Sequence, residues 1–374
     1  MRDIDLFAGA GGLAIGLQKA GFAPFSLYER DKFACKTLRS NTESKKPTLQ
    51  GVVEELDVHD IKWGNIPSPV RLLAAGAPCQ PFSLGGRHLA EQDGRNLFPE
   101  VFRAVRALRP RAILLENVRG LIRSSFRPYF EYILRQLRYP SLKPKHDELW
   151  LEHNRRLIDH ETANKSRPEY VVTWKPVDAA DYGVPQNRHR VFIIATTPDL
   201  SEFEFPSETH SKIALLRDQL VGTYWDRHDR KRPRCSDEPP EKDGKYPWTT
   251  VRDTLSKLPD AAKCEADSRM NHWLIPGARI YPGHVGSKLD WPAKTIKAGV
   301  HGVPGGENIL IDDHGGIRYF TLRETARLQT FPNNHIFEGA RLHITRQIGN
   351  AVPCDLSAAI SLPLFRMLNE QGKV

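Results

Sequence analysis

The chain has 374 residues, 40% of them hydrophobic, and no apolar run long enough to cross a bilayer, so the expectation is a soluble, cytoplasmic protein with room for two domains and a sizeable core. The opening Met1-Arg2-Asp3-Ile4-Asp5 carries no apolar signal region. A net charge of +9 points to a polyanionic partner, and five cysteines without metal-ligand spacing (Cys35, Cys79, Cys235, Cys264, Cys354) argue for free thiols in a reducing compartment, with no metal.

The first element is an apolar strand, Ile4-Asp5-Leu6-Phe7, that runs through Ala8-Gly9-Ala10-Gly11-Gly12 into an amphipathic helix. Glycines let the backbone approach a ligand closely, and free amides at the helix start can hold a carboxylate or phosphate. Such turns also serve as plain connections, so both readings stand at this point. The next strand, Phe25-Ser26-Leu27-Tyr28, ends at Glu29, where a doubly wound fold offers a carboxylate to ribose hydroxyls; a solvated helix start beside Arg30 and Asp31 is the alternative. Another strand ends before Asp57. The apolar run Val70-Arg71-Leu72-Leu73-Ala74-Ala75 then breaks into Gly76-Ala77-Pro78-Cys79-Gln80-Pro81-Phe82-Ser83. Pro78 and Pro81 end the strand and stiffen the turn, which presents a thiol where a buried strand becomes a loop. A cysteine is often only a small core residue, so its neighbours elsewhere in the chain must decide its role.

From Arg103 to Lys145 the chain carries eleven Lys or Arg against two acids, a window as positive as the whole chain and the best candidate for phosphate contacts, Arg123 and Arg127 among them. Strands before Glu116 and over Val191-Phe192-Ile193-Ile194-Ala195 extend an alternation of strands and helices that predicts a largely parallel sheet covered on both faces. Between Tyr139 and Pro168 the sequence is charged, punctuated by proline, and reads as an insertion. After Ala195 periodicity fades into proline, glycine and scattered aromatics, which predicts a loop-rich second domain over 197–317. It divides a first domain (1–196) from a segment, 318–374, that completes it with helices over Leu322–Leu328 and Cys354–Leu368. Between Asp199 and Gly316 there are 17 basic and 19 acidic residues, so contacts from the second domain should be few and specific.

Three further runs, Leu114-Leu115-Glu116-Asn117-Val118, Gln186-Asn187-Arg188-His189-Arg190-Val191, and Arg346-Gln347-Ile348-Gly349-Asn350-Ala351-Val352-Pro353, join Cys79 and the first turn. With Arg323-Glu324-Thr325-Ala326-Arg327-Leu328-Gln329-Thr330-Phe331-Pro332, they resemble in order the motifs of the DNA cytosine-5 methyltransferases and frame nearly the whole chain. The resemblance implies an α/β class I methyltransferase fold, Rossmann-like, with a mostly parallel sheet, and gives the loop-rich domain the role of target recognition. It implies that Cys79 is a nucleophile on a flipped-out cytosine, that Glu116 bonds ring nitrogen 3 and the exocyclic amine, that Arg190 holds the ring carbonyl, and that Arg188 braces the site.

S-adenosylmethionine is the implied methyl donor. Phe7, Ala10, Gly11 and Gly12 would hold its methionine end, Glu29 its ribose and Asp57 its adenine amine, while Pro78 and Leu97 close the pocket and Asn350 and Val352 add backbone contacts. Arg30 stands where relatives often carry an apolar or aromatic residue. Duplex DNA is the implied partner, met by a loop with Gln80, Ser83 and Arg87 and by Lys297 and His301 in the second domain. A restriction endonuclease acting on the same site is a companion the resemblance allows, and a monomer is expected. The Cys-Phe-Thr run that marks the RNA-methylating branch is absent.

Overall fold

Strand β1 (Arg2–Leu6) is buried from Asp3 to Leu6, as a strand with neighbours on both sides and helices on both faces must be. The computed structural model describes residues 2–78, 96–264, 271–280, 285–299 and 308–370. Within them β1 is followed by α1 (Gly12–Lys19), β2 (Pro24–Glu29), α2 (Lys32–Thr42), β3 (Val52–Glu55), β4 (Val70–Ala75), α3 (Phe98–Leu108), β5 (Ala112–Val118), α4 (Arg127–Arg138), α5 (Trp150–Thr162), β6 (Val171–Asp178) and β7 (His189–Thr196). Then come β8 (His210–Ser211), α6 (Lys212–Val221), α7 (Thr223–Arg227), β9 (Tyr246–Pro247), α8 (Val251–Leu255), β10 (Ser287–Lys288), β11 (Ile309–Ile311), β12 (Ile317–Tyr319), α9 (Leu322–Leu328), α10 (Arg341–Asn350) and α11 (Cys354–Glu370).

Seven strands form one sheet in the order β3-β2-β1-β4-β5-β7-β6. The first five are parallel, and β7 runs antiparallel to both β5 and β6. Strand order therefore reverses between β1 and β4, the place where the crevice beyond the strand ends receives ligands in such sheets. The Phe7–Gly12 turn and the Gly76–Pro78 segment both leave the sheet there.

The period-2 alternation of the strands supplies both faces with apolar residues. Ile4, Leu6, Leu73, Ile113, Leu115, Val191 and Ile193 pack against α3 and α4 through Phe98, Phe102, Phe130 and Ile133. On the other face Leu72, Ala74, Leu114, Phe192 and Ile194 meet α1 and α11 through Leu13, Leu17, Leu356, Ile360 and Leu364. The stretch Arg341–Glu370 is apolar enough by composition for a membrane span, yet it is two helices parted at Ala351-Val352-Pro353, and the apolar stripe of α11 lies in this core. The last helix thus packs on one face of the seven-stranded sheet.

The structure departs from the sequence pattern at particular points. Glu116 lies within β5 and not beyond its end. Strand β6 was not predicted: it is the sheet edge, where Pro176 costs no interior ladder bond, and its Lys175 and Pro176 mask the strand signal. The stretch 139–168 contains α5, whose His153 is buried and bonded to Tyr132 Oη at 2.8 Å and to the Leu142 carbonyl at 2.6 Å. Strand β12 crosses the expected boundary at residue 317 and pairs antiparallel with β11.

Candidate active site

The Glu29 carboxylate is built into the backbone around it. Gly9 N–H donates to one oxygen at 2.8 Å, and the N–H groups of Arg30 and Asp31 donate to the other at 2.8 and 2.7 Å. Gly9 is brought there by a bend after β1, in which Phe7 takes φ 59° and Ala8 N–H donates to the Tyr28 carbonyl at 3.1 Å. The bend continues into α1, whose first residue, Gly12, touches the C-terminal block: a Cβ there would overlap the Val352 carbonyl. Asp31 then caps α2, accepting from Phe33 and Ala34 N–H at 2.9 Å each.

Asp57 follows β3. One of its oxygens accepts from His59 N–H at 3.1 Å and pairs with His59 Nδ1 at 2.6 Å, and the other accepts from Arg30 at 2.9 Å. The His59 N–H, then the Arg30 guanidinium and the His59 ring, hold this carboxyl well below the usual carboxylate range. Arg30 therefore bridges the Glu29 and Asp57 ends of the crevice.

Glu116 is buried in β5, and Arg190 Nε stands 2.8 Å from its Oε1. Val118 is opposite Arg190 in the β5–β7 ladder, so Glu116 and Arg190 are diagonal neighbours on one face. Burial pushes the Glu116 pKa up, opposed by the charges of Arg190 and Arg188. Next to it Asn117 donates to the Ala77 carbonyl at 3.2 Å and so fixes the segment that leads through Pro78 toward Cys79.

Arg188 is 1% exposed and joins three stretches of chain. It donates to the carbonyls of Ile296 (3.0 Å), Gly349 (2.7 Å) and Ala351 (2.9 Å). That is a bracing arrangement.

These groups share one cavity of about 490 Å³. Of the residues singled out from sequence, Phe7, Gly12, Glu29, Asp57, Pro78, Leu97, Glu116, Arg188, Arg190, Asn350 and Val352 line it. Ala10 and Gly11 are buried behind the wall, Gly11 against Leu38 and Leu49. Cys79, Gln80, Ser83, Arg87 and His301 lie outside the described residues. Among the described residues no thiol lines the cavity; Cys35 and Cys354 are buried elsewhere, and burial pushes the Cys35 thiol up to about 12. No group of three or more metal-ligating side chains is assembled among them either. Sequence reading missed His59, His343, Arg346 and Gln347, which also line the cavity. The signal for Arg346 was its position one helical turn before Asn350 in a block already singled out.

The basic window is less bare than its composition suggests. Arg103, Arg109, Arg111, Arg135 and Arg138 pair with Glu100, Glu169, Asp199 and Glu161, all from outside the window. Arg127 pairs with Glu131 at 2.6 Å and lies over the rings of Phe130 and Trp174. Arg123, half-exposed, follows the short turn Arg119–Ile122 directly beyond β5. Lys297 is exposed, and its main chain is tied to Asn308.

The chain resembles known proteins along nearly its full length. It is 32% identical over 384 residues to the Type II methyltransferase M.Eco47II of Escherichia coli, covering 99% of this chain and 80% of that one. It is 29% identical over 374 residues to the Type II methyltransferase M.NgoMIV of Neisseria gonorrhoeae, covering 99% and 98%. In fold it matches the S. pombe Dnmt2 methyltransferase at a TM-score of 0.59, with 18% identity and all of both chains covered. The Entamoeba histolytica methyltransferase EhMeth matches at 0.58, with 15% identity over 100% of this chain and 99% of that one. A family model described as C-5 cytosine-specific DNA methylase matches residues 1–140 and 148–366, so only 141–147 of the expected insertion falls outside it. With the turn after β1, Glu116, Arg188, Arg190 and the Arg346–Val352 block lining one crevice at the reversal of the sheet, the chain belongs to the C-5 cytosine-specific DNA methylase family.

Proposed function

We propose that this enzyme transfers a methyl group from S-adenosylmethionine to carbon 5 of a cytosine flipped out of duplex DNA, through a covalent adduct of Cys79. The observation that carries the reading is the single cavity that joins the amide-held Glu29 carboxylate to the Glu116–Arg190 pair beside Pro78. A donor held at one end and a base at the other would then meet within it.

The donor end suits an adenosyl group. Glu29 keeps its carboxylate fixed by three amides, which leaves one lone-pair site, on Oε2, preorganised for a ribose hydroxyl, and Asp57, held ionised, is an acceptor for an exocyclic amine. The cavity volume is that of a typical small-molecule site. When bound, S-adenosylmethionine supplies a methyl group made electrophilic by its sulfonium.

Carbon 5 of cytosine is a poor nucleophile until electron density is pushed into the ring. The Cys79 thiolate adds to carbon 6, and the density pushed into the ring is taken up at nitrogen 3, to which Glu116, whose hold on a proton is strengthened by burial, donates or with which it shares a proton. Arg190 binds the ring carbonyl and Arg188 holds the surrounding chain together. After carbon 5 has taken the methyl group its proton leaves to a water chain, and the sulfur is expelled. The target base must leave the stack because neither groove exposes carbons 5 and 6 to opposed reactants.

Residues 197–317 serve target recognition in this reading, with Lys297 and His301 toward base edges or phosphates, Gln80, Ser83 and Arg87 on a loop that closes over the duplex, and Arg123 on the backbone. In this reading the enzyme works as a monomer, and a restriction endonuclease acting on the same site is a companion it allows. The test is transfer of a labelled methyl group from S-adenosylmethionine to duplex DNA by purified protein without added metal, followed by bisulfite sequencing to locate it. Label at carbon 5 of cytosine in one sequence context supports the proposal; label confined to tRNA, or on the exocyclic amine, overturns it.

A further inference from the structure

The run that carries Arg188 and Arg190 is bonded, residue by residue, to the run that leads to Lys297. Ala293 N–H donates to the Pro185 carbonyl at 2.9 Å and its own carbonyl accepts Asn187 N–H at 2.8 Å, a short parallel bridge. Thr295 Oγ1 donates to the Asn187 carbonyl at 2.7 Å. One residue on, both main-chain groups of Ile296 are held by side chains: Gln186 Oε1 accepts its N–H at 2.9 Å, and Arg188 donates to its carbonyl at 3.0 Å.

Gln186 is fully buried and its amide is bonded on both sides. Besides accepting from Ile296, its Nε2 donates to the Leu328 carbonyl at 3.2 Å and to Gln329 Oε1 at 3.1 Å. Gln329 in turn donates to the carbonyls of Ile348 (2.7 Å) and Ala351 (3.2 Å), next to the cavity-lining Asn350 and Val352. Gly349 seals the junction, since a Cβ there would overlap the main chain of Lys297 and Ala298. A main-chain N–H on one side and two oxygens on the other leave the carboxamide a single orientation, and removing it strands each partner in a dry interior.

We propose that Gln186 is a positioning residue that sets the segment carrying Lys297 in register with Arg190 and Glu116, and so governs discrimination among DNA sequences. The inference rests on the cytosine-methylating reading above. Gln186 does not line the cavity, so it makes no direct contact with a donor bound there.

The full chain, Gln186→Leu and Thr295→Val would each be expressed in a host lacking cytosine methylation, and recovered plasmid sequenced after bisulfite treatment. The readout is methylation at the main site relative to sites one base pair different. Gln186→Leu should lower that ratio by roughly tenfold, the scale of one lost base-pair discrimination. Thr295→Val, which removes one bond of the same junction, should lower it in the same direction but less. Calorimetry with S-adenosylhomocysteine should give the affinity of the unaltered chain for both variants. Methylation reduced equally at main and near sites, or a loss of S-adenosylhomocysteine affinity, would overturn the assignment; Thr295→Val decides if Gln186→Leu does not fold. Absence of cytosine methylation by the unaltered chain would overturn the activity reading itself, an outcome read before either variant.

Discussion

Glu116 Oε1 and Arg190 Nε face each other at 2.8 Å across the antiparallel junction of β5 and β7, both largely buried. The carboxyl is pushed toward its protonated form by burial and pulled back by the guanidinium, which leaves it responsive to a base that enters beside it. Glu116→Gln keeps the shape and the Arg190 contact but cannot deliver a proton to ring nitrogen 3. Its kcat should fall by roughly 10²–10⁴-fold, the usual range for a lost acid-base group, with S-adenosylhomocysteine affinity unchanged in calorimetry.

Glu29→Ala should act on the other end of the cavity. It removes the carboxylate that three amides hold and, with it, the charge-assisted bond it can still accept from a ribose hydroxyl, so S-adenosylhomocysteine binding should weaken by about 2 kcal/mol. Duplex DNA affinity without donor, measured by anisotropy, should stay the same.

Arg123 and Arg127 are separable. Arg127 is occupied by Glu131 and two aromatic rings, whereas Arg123 sits just beyond the strand that carries Glu116. Arg123→Ala should reduce the log-log salt slope of DNA binding by about 0.9 and leave site preference intact, because a phosphate contact carries no sequence information. Arg127→Ala should leave the slope unchanged. Equal slopes for the unaltered chain and Arg123→Ala would remove Arg123 from the DNA surface.

How much of this was legible in the sequence depended on whether the signal was local. The Phe7–Gly12 turn, Glu29 and the helix over Leu322–Leu328 are specified by neighbouring residues, and the structure carries all of them where the pattern puts them. Edge strand β6 was hidden because edge position, which makes Pro176 harmless, is a property of the whole sheet. The acidic partners of the basic window were hidden for a similar reason: Glu169, Asp199 and Glu161 are distant in sequence and adjacent in space. The Gln186–Ile296 junction spans more than a hundred residues, and nothing in either run alone announces it.

His335 supplies a pH test of the fold beneath the donor turn. It is fully buried, bonded to Thr48 Oγ1 at 2.9 Å, and burial followed by the charge of Arg323 pushes its pKa down to about 3. A histidine depressed in the folded state binds its proton more readily when unfolded, so the stability it supports is complete above the unfolded value near 6.5 and drains as pH falls toward 3. Between those limits His335→Gln should flatten the pH dependence of unfolding free energy by about 1.4 kcal/mol per pH unit. An unchanged slope in urea titrations would mean that His335 charges without unfolding.

The central claim is that Cys79 attacks carbon 6 of the target base, and trapping tests it most directly. With S-adenosylmethionine present, duplex DNA carrying 5-fluorocytosine at the target position should accept the methyl group and then stay bound, because fluorine cannot leave as a proton does. The complex should survive denaturing electrophoresis, and Cys79→Ser should form none while still binding DNA, since a serine hydroxyl is far less ionised than a thiol at neutral pH. A covalent complex of undiminished yield from Cys79→Ser, or none from the unaltered chain that methylates ordinary DNA, would contradict the account.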